Sequence, residues 1–326
     1  MRIIDMHCDT ISELLKKKRA GEEVSLLQNT GHVDLVRMQK SGYLLQNFAL
    51  FVNMGTCENP WKEVCELHQL YEEELCENSD MIAPVYCYQD IAENESAGKM
   101  SAMLTVEEGG VCGGELEKLR ELYDMGVRML TLTWNHPNEL GYPNKQEGGL
   151  TEVGRAFVAE MEKLGMIVDV SHLSDTGIYD VLSVAKKPFV ASHSNAREIC
   201  ASARNLSDDM IRRLAQAGGC MGLNFYAHFL RIVSAGEKNP GTIKDVVRHA
   251  RHIVNIGGIE VLGIGSDFDG IDTHGELPGA QSMELLWDAL HKSGFTQAQL
   301  DKIFCGNVLR VYRSTLQECH KQLIPY

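Results

Sequence analysis

No stretch of this sequence approaches the roughly 20 consecutive apolar residues that a helix needs to cross a bilayer. A basic excess is missing too: 31 Lys and Arg stand against 45 Asp and Glu, for a formal net charge of −14. A nucleic-acid partner would call for a positive face, so that class loses support. The ten cysteines contain no CxxC pair and are scattered along 326 residues. A chain of that length buries its own core, so they read as small reduced thiols and not as a disulfide framework. Met1 runs directly into RIID, without the basic stretch and apolar run of a secretory signal. The closing KQLIPY is too short and polar for a lipid-anchor signal. The expectation is a cytoplasmic protein with no membrane attachment.

Several catalytic signatures are absent as well. There is no HExxH, which excludes a helix-borne zinc protease. There is neither GxSxG nor GxxxxGK[ST], so serine-hydrolase and P-loop chemistries lose support. A hydrophobic content of 44% with 23% charge is that of an ordinary globular protein.

What is present is a series of eight apolar runs, several ending in a side chain able to hold a metal. They are RIIDMHCD (2–9), LLQNFALFV (44–52), SAMLTVEE (101–108), VRMLTLTW (127–134), GMIVDVSH (165–172), KPFVASH (187–193), GCMGLNF (219–225) and VLGIGSDF (261–268). Most are continuously apolar, as parallel strands buried on both faces must be. Amphipathic helical patterns fill the gaps, at 61–78 and 115–126 among others. Thr151, Ser174 and Ser207 are placed to cap the helices that follow them, and Gly165 to stop one. Eight strand–helix units predict a single domain, residues 1–326, folded as a (β/α)8 TIM barrel. The loop 135–150, rich in Gly, Pro and Asn, would hang over the barrel mouth as a lid or substrate wall.

Parallel barrel strands bring their C-terminal ends to one mouth however far apart they lie in sequence. His7 and Asp9, two apart in an extended segment, project to one side and can grip an ion together, with Cys8 turned into the wall. A carboxylate closing the third run could bridge two cations. Glu108 is preferred to Glu107 because it directly precedes Gly109 and Gly110, which let backbone approach closely, although the adjacent acids leave both open on this argument. His172 and His193 follow Ser in matching positions, VSH and ASH, and as neutral imidazoles could hold a second ion. Asp267 in GSDFDG could ligate or act as general acid and base. Asp269 reads as serving the turn at Gly270.

Together these segments resemble the membrane (renal) dipeptidase family, including its soluble bacterial members. DMHCDT resembles the family's DxHxD opening and VEEGG its metal-bridging Glu-Gly-Gly. DVSH and ASHSNAR resemble its two histidine segments. ARNLSDD, GLNFY, GSDFDG and CGNVLRVY follow in the family's order, nearly end to end. The resemblance implies hydrolysis of dipeptides, L-Xaa-L-Xaa and L-Xaa-D-Xaa, by two divalent ions, usually zinc, through a metal-bridging water. His7 and Asp9 would hold one ion, His172 and His193 the other, Glu108 would bridge, and Asp267 would move the proton. Arg204 would receive the substrate's free carboxylate and Tyr226 would line the pocket. Mammalian members carry an oxyanion-stabilising histidine where this chain has Trp134, and Asn135 or His136 stands next in line to substitute. The expected partners are dipeptides, with a homodimer as the assembly entertained.

Two rival readings differ in class. Another two-metal barrel amidohydrolase would act on N-acyl amino acids or related carboxylated amides; Arg204 suits any substrate with a terminal carboxylate. A non-enzymatic metal-binding scaffold would have no need of all six mouth residues together.

Overall fold

In the computed structural model, residues 1–234, 236–272 and 274–317 are described. The KQLIPY segment lies outside them. Nine strands run in parallel: β1 (Ile3–Cys8), β2 (Tyr43–Phe51), β3 (Ile82–Pro84), β4 (Met100–Glu107), β5 (Val127–Thr131), β6 (Ile167–Asp169), β7 (Val190–Ala191), β8 (Cys220–Leu223) and β9 (Leu262–Ile264). β1 pairs with β2 on one side and β9 on the other. β2 pairs with β4, and from β4 each strand pairs with the next through to β9. The ring therefore closes on eight strands as a (β/α)8 barrel. β3 is the addition, paired only with the start of β4. Three residues ending in Pro84 carry no pattern that would announce a strand.

All eight expected runs supply ring strands, but β6 and β7 are cut to three and two residues. Their ladder stops where side chains take over the backbone bonding. The Asp169 carboxylate accepts from Ser171 N at 3.0 Å and Ser192 N at 2.8 Å. The capping residues behave as expected: Thr151, Ser174 and Ser207 each accept from the third backbone N–H beyond.

Two apolar clusters divide the interior. Ile4, Met6, Met103, Met129, Ile167, Val190 and Cys220 pack inside the ring against Val308, Val311 and Tyr312. The latter three belong to the helix Asn307–Thr315, which plugs the end of the barrel remote from the mouth. Asn307 Nδ2 ties that helix to the carbonyls of Ile259 and Leu262, both at 2.7 Å. The alternate strand positions, such as Leu104, Val106 and Cys8, join the outer cluster between strands and helices. β7, β8 and β9 approach so closely that a Cβ at Gly222 or Gly265 would lie 2.0 or 1.8 Å from Ser192 O.

Among the described cysteines eight are free thiols, while Cys87 is disulfide-bonded, against the expectation that all are reduced. A single bond leaves no mark in cysteine spacing that composition can read.

Candidate metal centre and substrate pocket

The register of β1 against β2 slips between Asp5↔Gln46 and Cys8↔Phe48, three residues advancing against two. Met6 packs inside the ring, and the slip lets the next residue, His7, face inward as well. Cys8 then returns to the outer cluster, as the sequence suggested, and donates to Asn47 O at 3.4 Å. His7 Nε2 lies 3.3 Å from Asp9 Oδ2 and 3.9 Å from Asp267 Oδ1.

The carboxylate that meets the histidines is Glu107, not the expected Glu108. Glu107 Oε2 is 3.4 Å from His7 Nε2, and its Oε1 is 3.1 Å from His172 Nε2 and 3.4 Å from His193 Nε2. Strand alternation is the reason. Met103 faces inward on β4, so Thr105 and Glu107 follow it and Glu108 cannot. Glu108 instead turns back at φ 108° and accepts from Gly110 N at 2.8 Å, from Trp134 N at 3.0 Å and from Asn138 Nδ2. It holds the turn that lets Glu107 point inward.

His172 and His193 converge, with Nε2 atoms 3.1 Å apart. His172 adopts φ 68° and Asp267 φ 66°, left-handed conformations uncommon outside glycine and often found at functional sites. His193 Nδ1 meets Ser192 Oγ at 2.7 Å, and Ser192 Oγ donates to Asp169 Oδ2 at 2.6 Å. Asp5 repeats that device on β1, accepting from Ser266 N at 2.9 Å and Ser266 Oγ at 2.6 Å, next to Asp267. Asn224 Nδ2 donates to Asp267 Oδ2 at 2.8 Å. Asp269 serves the loop, accepting from Thr10 Oγ1 at 2.7 Å and His32 N at 2.6 Å.

The electrostatics fit a cation. Three carboxylates, Asp9, Glu107 and Asp267, are buried together with three imidazoles. Burial pushes Asp9 up to about 6 and Asp267 up to about 7. Burial lowers His172 to about 4 and holds His193 well below its ordinary value, so both are neutral, as ligands must be. Burial works against charge on His7, yet Glu107 and Asp9 outweigh it and hold this imidazole well above its usual range. Glu107 is held well below the carboxylate range because His7, His172 and His193 outweigh its burial. His7 Nδ1, Asp9 Oδ1 and Glu107 Oε1 are buried without a hydrogen-bond partner. His7, Glu107 and His193 form one cluster with metal-site spacing, and His7, Asp9 and Asp267 a second. Imidazole and carboxylate donors in this number suit zinc or a similar divalent ion.

The cluster opens into a cavity of about 800 Å³, lined among others by Trp134, Asn135, Tyr226 and Phe229. Arg204 is buried next to this wall. Its Nη1 donates to Ser194 Oγ at 2.8 Å and its guanidinium lies over the Phe229 ring, while Nε and Nη2 have no partner. Tyr226 stacks edge-on against Phe229 at 4.8 Å. Asn135 lies in the cavity wall with Oδ1 3.1 Å from His172 Nδ1. His136 does not join the site: it is exposed, packs beside Trp134 and Gly55, and is not part of the cavity lining. The chain turns away after Asn135, so only the first of the two substitutes reaches the mouth.

The sequence profile of the membrane dipeptidase family (peptidase family M19) matches residues 1–323. The chain belongs to the membrane dipeptidase family. An uncharacterised dipeptidase of Schizosaccharomyces pombe is 32% identical over 311 residues, covering 88% of this chain and 73% of that one. The dipeptidase aclJ of Aspergillus oryzae is 30% identical over 296 residues, covering 86% and 69%. Among solved structures, a metallopeptidase of Rhodobacter sphaeroides, bound to a phosphinate mimic of the dipeptide L-Ala-D-Ala, superposes with a TM-score of 0.89. It is 25% identical, with 97% of this chain and 99% of that one covered. As a family member the chain is a metallopeptidase of the dipeptidase class. No helix among the described residues is long and apolar enough to cross a membrane.

Proposed function

We propose that this family member is a zinc-dependent dipeptidase with two ions per chain, cutting L-Xaa-L-Xaa and L-Xaa-D-Xaa substrates as one barrel domain. The observation that carries the reading is Arg204, a buried guanidinium with Nε and Nη2 unpartnered, beside the histidine–carboxylate cluster. The dipeptide mimic held by the Rhodobacter sphaeroides relative supports the substrate class. The eight free thiols among the described residues favour a cytoplasmic site of action, and the single Cys87 disulfide counts against it.

His7 and Asp9 would hold one ion and His172 and His193 the other, with Glu107 between them. Divalent ions at such a centre polarise a scissile carbonyl and acidify water. Asp267 supplies the proton traffic. Asn224 occupies its Oδ2, leaving Oδ1, on the His7 side, to take a proton and return it to the departing amine. Arg204 offers a planar pair of donors that matches a carboxylate, and Ser194 and Phe229 fix the plane. A dipeptide puts its carboxylate one residue from the scissile bond; a tripeptide puts it farther, and a dipeptide amide has none.

The test compares those three substrates. Dipeptides are cut and the other two are poor, while Arg204→Met raises KM sharply and narrows the gap between acid and amide. Cleavage of the amide as fast as the free acid by the wild-type enzyme would sink the carboxylate clamp.

A further inference from the structure

The two cavity-facing histidines are mounted in different ways. His193 is held by the barrel: Ser192 and Asp169, both fully buried, support its Nδ1, and Ser171 Oγ accepts from its backbone N–H at 3.1 Å. His172 is held by the loop 135–150. The Asn135 Oδ1 at 3.1 Å can only accept, so the imidazole proton sits on Nδ1 and the Nε2 lone pair is left for the centre. The His172 carbonyl accepts twice from Asn144, from N at 2.7 Å and from Nδ2 at 3.2 Å. Pro143 bridges to Leu173, and the carbonyls of Tyr142 and Gly148 accept from Ser174 N and Ser174 Oγ. The loop thus clasps the turn in which His172 takes its left-handed φ of 68°. Asn135 is exposed and Asn144 only half-buried, whereas the mount of His193 is sealed.

We propose that Asn135 and Asn144 are the positioning residues of His172, so that closure of the loop 135–150 and retention of the ion shared by His172 and His193 are one equilibrium. Asn135 also lines the cavity, so the element that meets the substrate is the same one that sets this ligand. A side chain that orients a metal-bound imidazole is worth about 10- to 100-fold in metal affinity. The coupling is reciprocal: an ion that binds the closed loop better than the open one must close it to the same extent.

The inference rests on His172 being a ligand, and the experiment separates the two. Zinc-loaded protein is titrated with a chelator and ions per chain are counted, for wild type, His172→Ala, Asn135→Ala, Asn135→Asp and Glu147→Ala. His172→Ala loses one ion. Asn135→Ala keeps its fold by circular dichroism but releases that same ion at about 10- to 100-fold lower chelator strength. Asn135→Asp keeps the acceptor oxygen and restores wild-type retention or better. The exposed Glu147→Ala matches wild type. In hydrogen exchange, zinc slows the Asn144 amide in wild type and not in His172→Ala. Wild-type retention in Asn135→Ala, or Asn144 exchange that ignores zinc, overturns the coupling while leaving the ligand assignment intact. An unchanged ion count in His172→Ala overturns the ligand assignment itself.

Discussion

Replacing each of two adjacent carboxylates by its amide separates a ligand from its support. Glu107 faces three imidazole nitrogens at 3.1–3.4 Å, whereas Glu108 faces two backbone N–H groups and one side-chain amide. Among the described residues Glu107 is the only carboxylate that reaches all three rings, so the cost of Glu107→Gln in metal affinity exceeds the about 100-fold that an outer partner carries. Glu108→Gln keeps one oxygen, but its new NH2 must confront a donor, either Trp134 N or Gly110 N. One buried bond is broken and one N–H is left unmet, for about 1–3 kcal/mol of stability. Burial raises Glu108 to about 7, so the comparison is made at pH 8, where its carboxylate is charged and accepts. Ions per chain are counted by elemental analysis after dialysis, and the stability of metal-stripped protein is read from denaturant unfolding. The expected result is a double dissociation: Glu107→Gln loses at least one ion and nearly all activity, while Glu108→Gln keeps its ions and unfolds at lower denaturant. If Glu108→Gln loses the metal and Glu107→Gln keeps it, the placement of the pair is wrong.

Asp267→Asn should lower turnover by about 10²–10⁴-fold, the usual worth of acid–base catalysis; a collapse of metal content instead would make Asp267 a ligand. Gly270→Ala should disturb the centre, because a Cβ there would lie 2.0 Å from Asp9 Oδ2 and 2.9 Å from Asp267 Oδ1. Unchanged metal content and rate in that variant would show that the loop yields freely. His249 is buried, accepts from Ala196 N at Nδ1 and meets Leu230 O at Nε2, and burial lowers it to about 4. The unfolded chain therefore takes up this proton first, so stability present above about pH 6.5 is lost as pH falls toward 4, by about 3 kcal/mol from this group. His249→Gln should flatten the pH dependence of unfolding between pH 7 and 5, and an unaltered slope would refute the assignment.

The strand ends were legible because a closed parallel barrel is written in apolar runs, and His7 with Asp9, His172, His193 and Asp267 lie at the ends of four of them. Glu107 was not, for a related reason. The alternation of polarity along β4 is weak: Ser101 and Thr105 share the face of Glu107 but the apolar Met103 interrupts them, while Ala102, Leu104 and Val106 face the other way. Counting in twos from Met103 does choose, but only once Met103 is known to face inward. The supports were out of reach altogether. Asp5 and Asp169 read as polar breaks in strands until their partners Ser266 and Ser192, far off in sequence, are brought beside them. Asn135 was noticed as a neighbour of Trp134, and its bond to His172 became visible only when a loop returned across the mouth. The Cys87 disulfide and the three-residue β3 left too faint a trace for any local pattern.

The slip in β1 has a consequence for how this centre can change. His7 faces inward because three residues of β1 span the distance of two in β2. Its aim is therefore encoded in the number of residues between Asp5 and Cys8 and not in which residues they are. Point substitutions around His7 can weaken or repack the strand, yet they leave that count untouched. A deletion of one residue between Asp5 and Cys8 would remove that slip, leave the opposite slip between Ile3 and Ile4 uncompensated, and swing the imidazole into the wall, with every ligand type still in the chain. In this segment the centre is more vulnerable to indels than to missense changes.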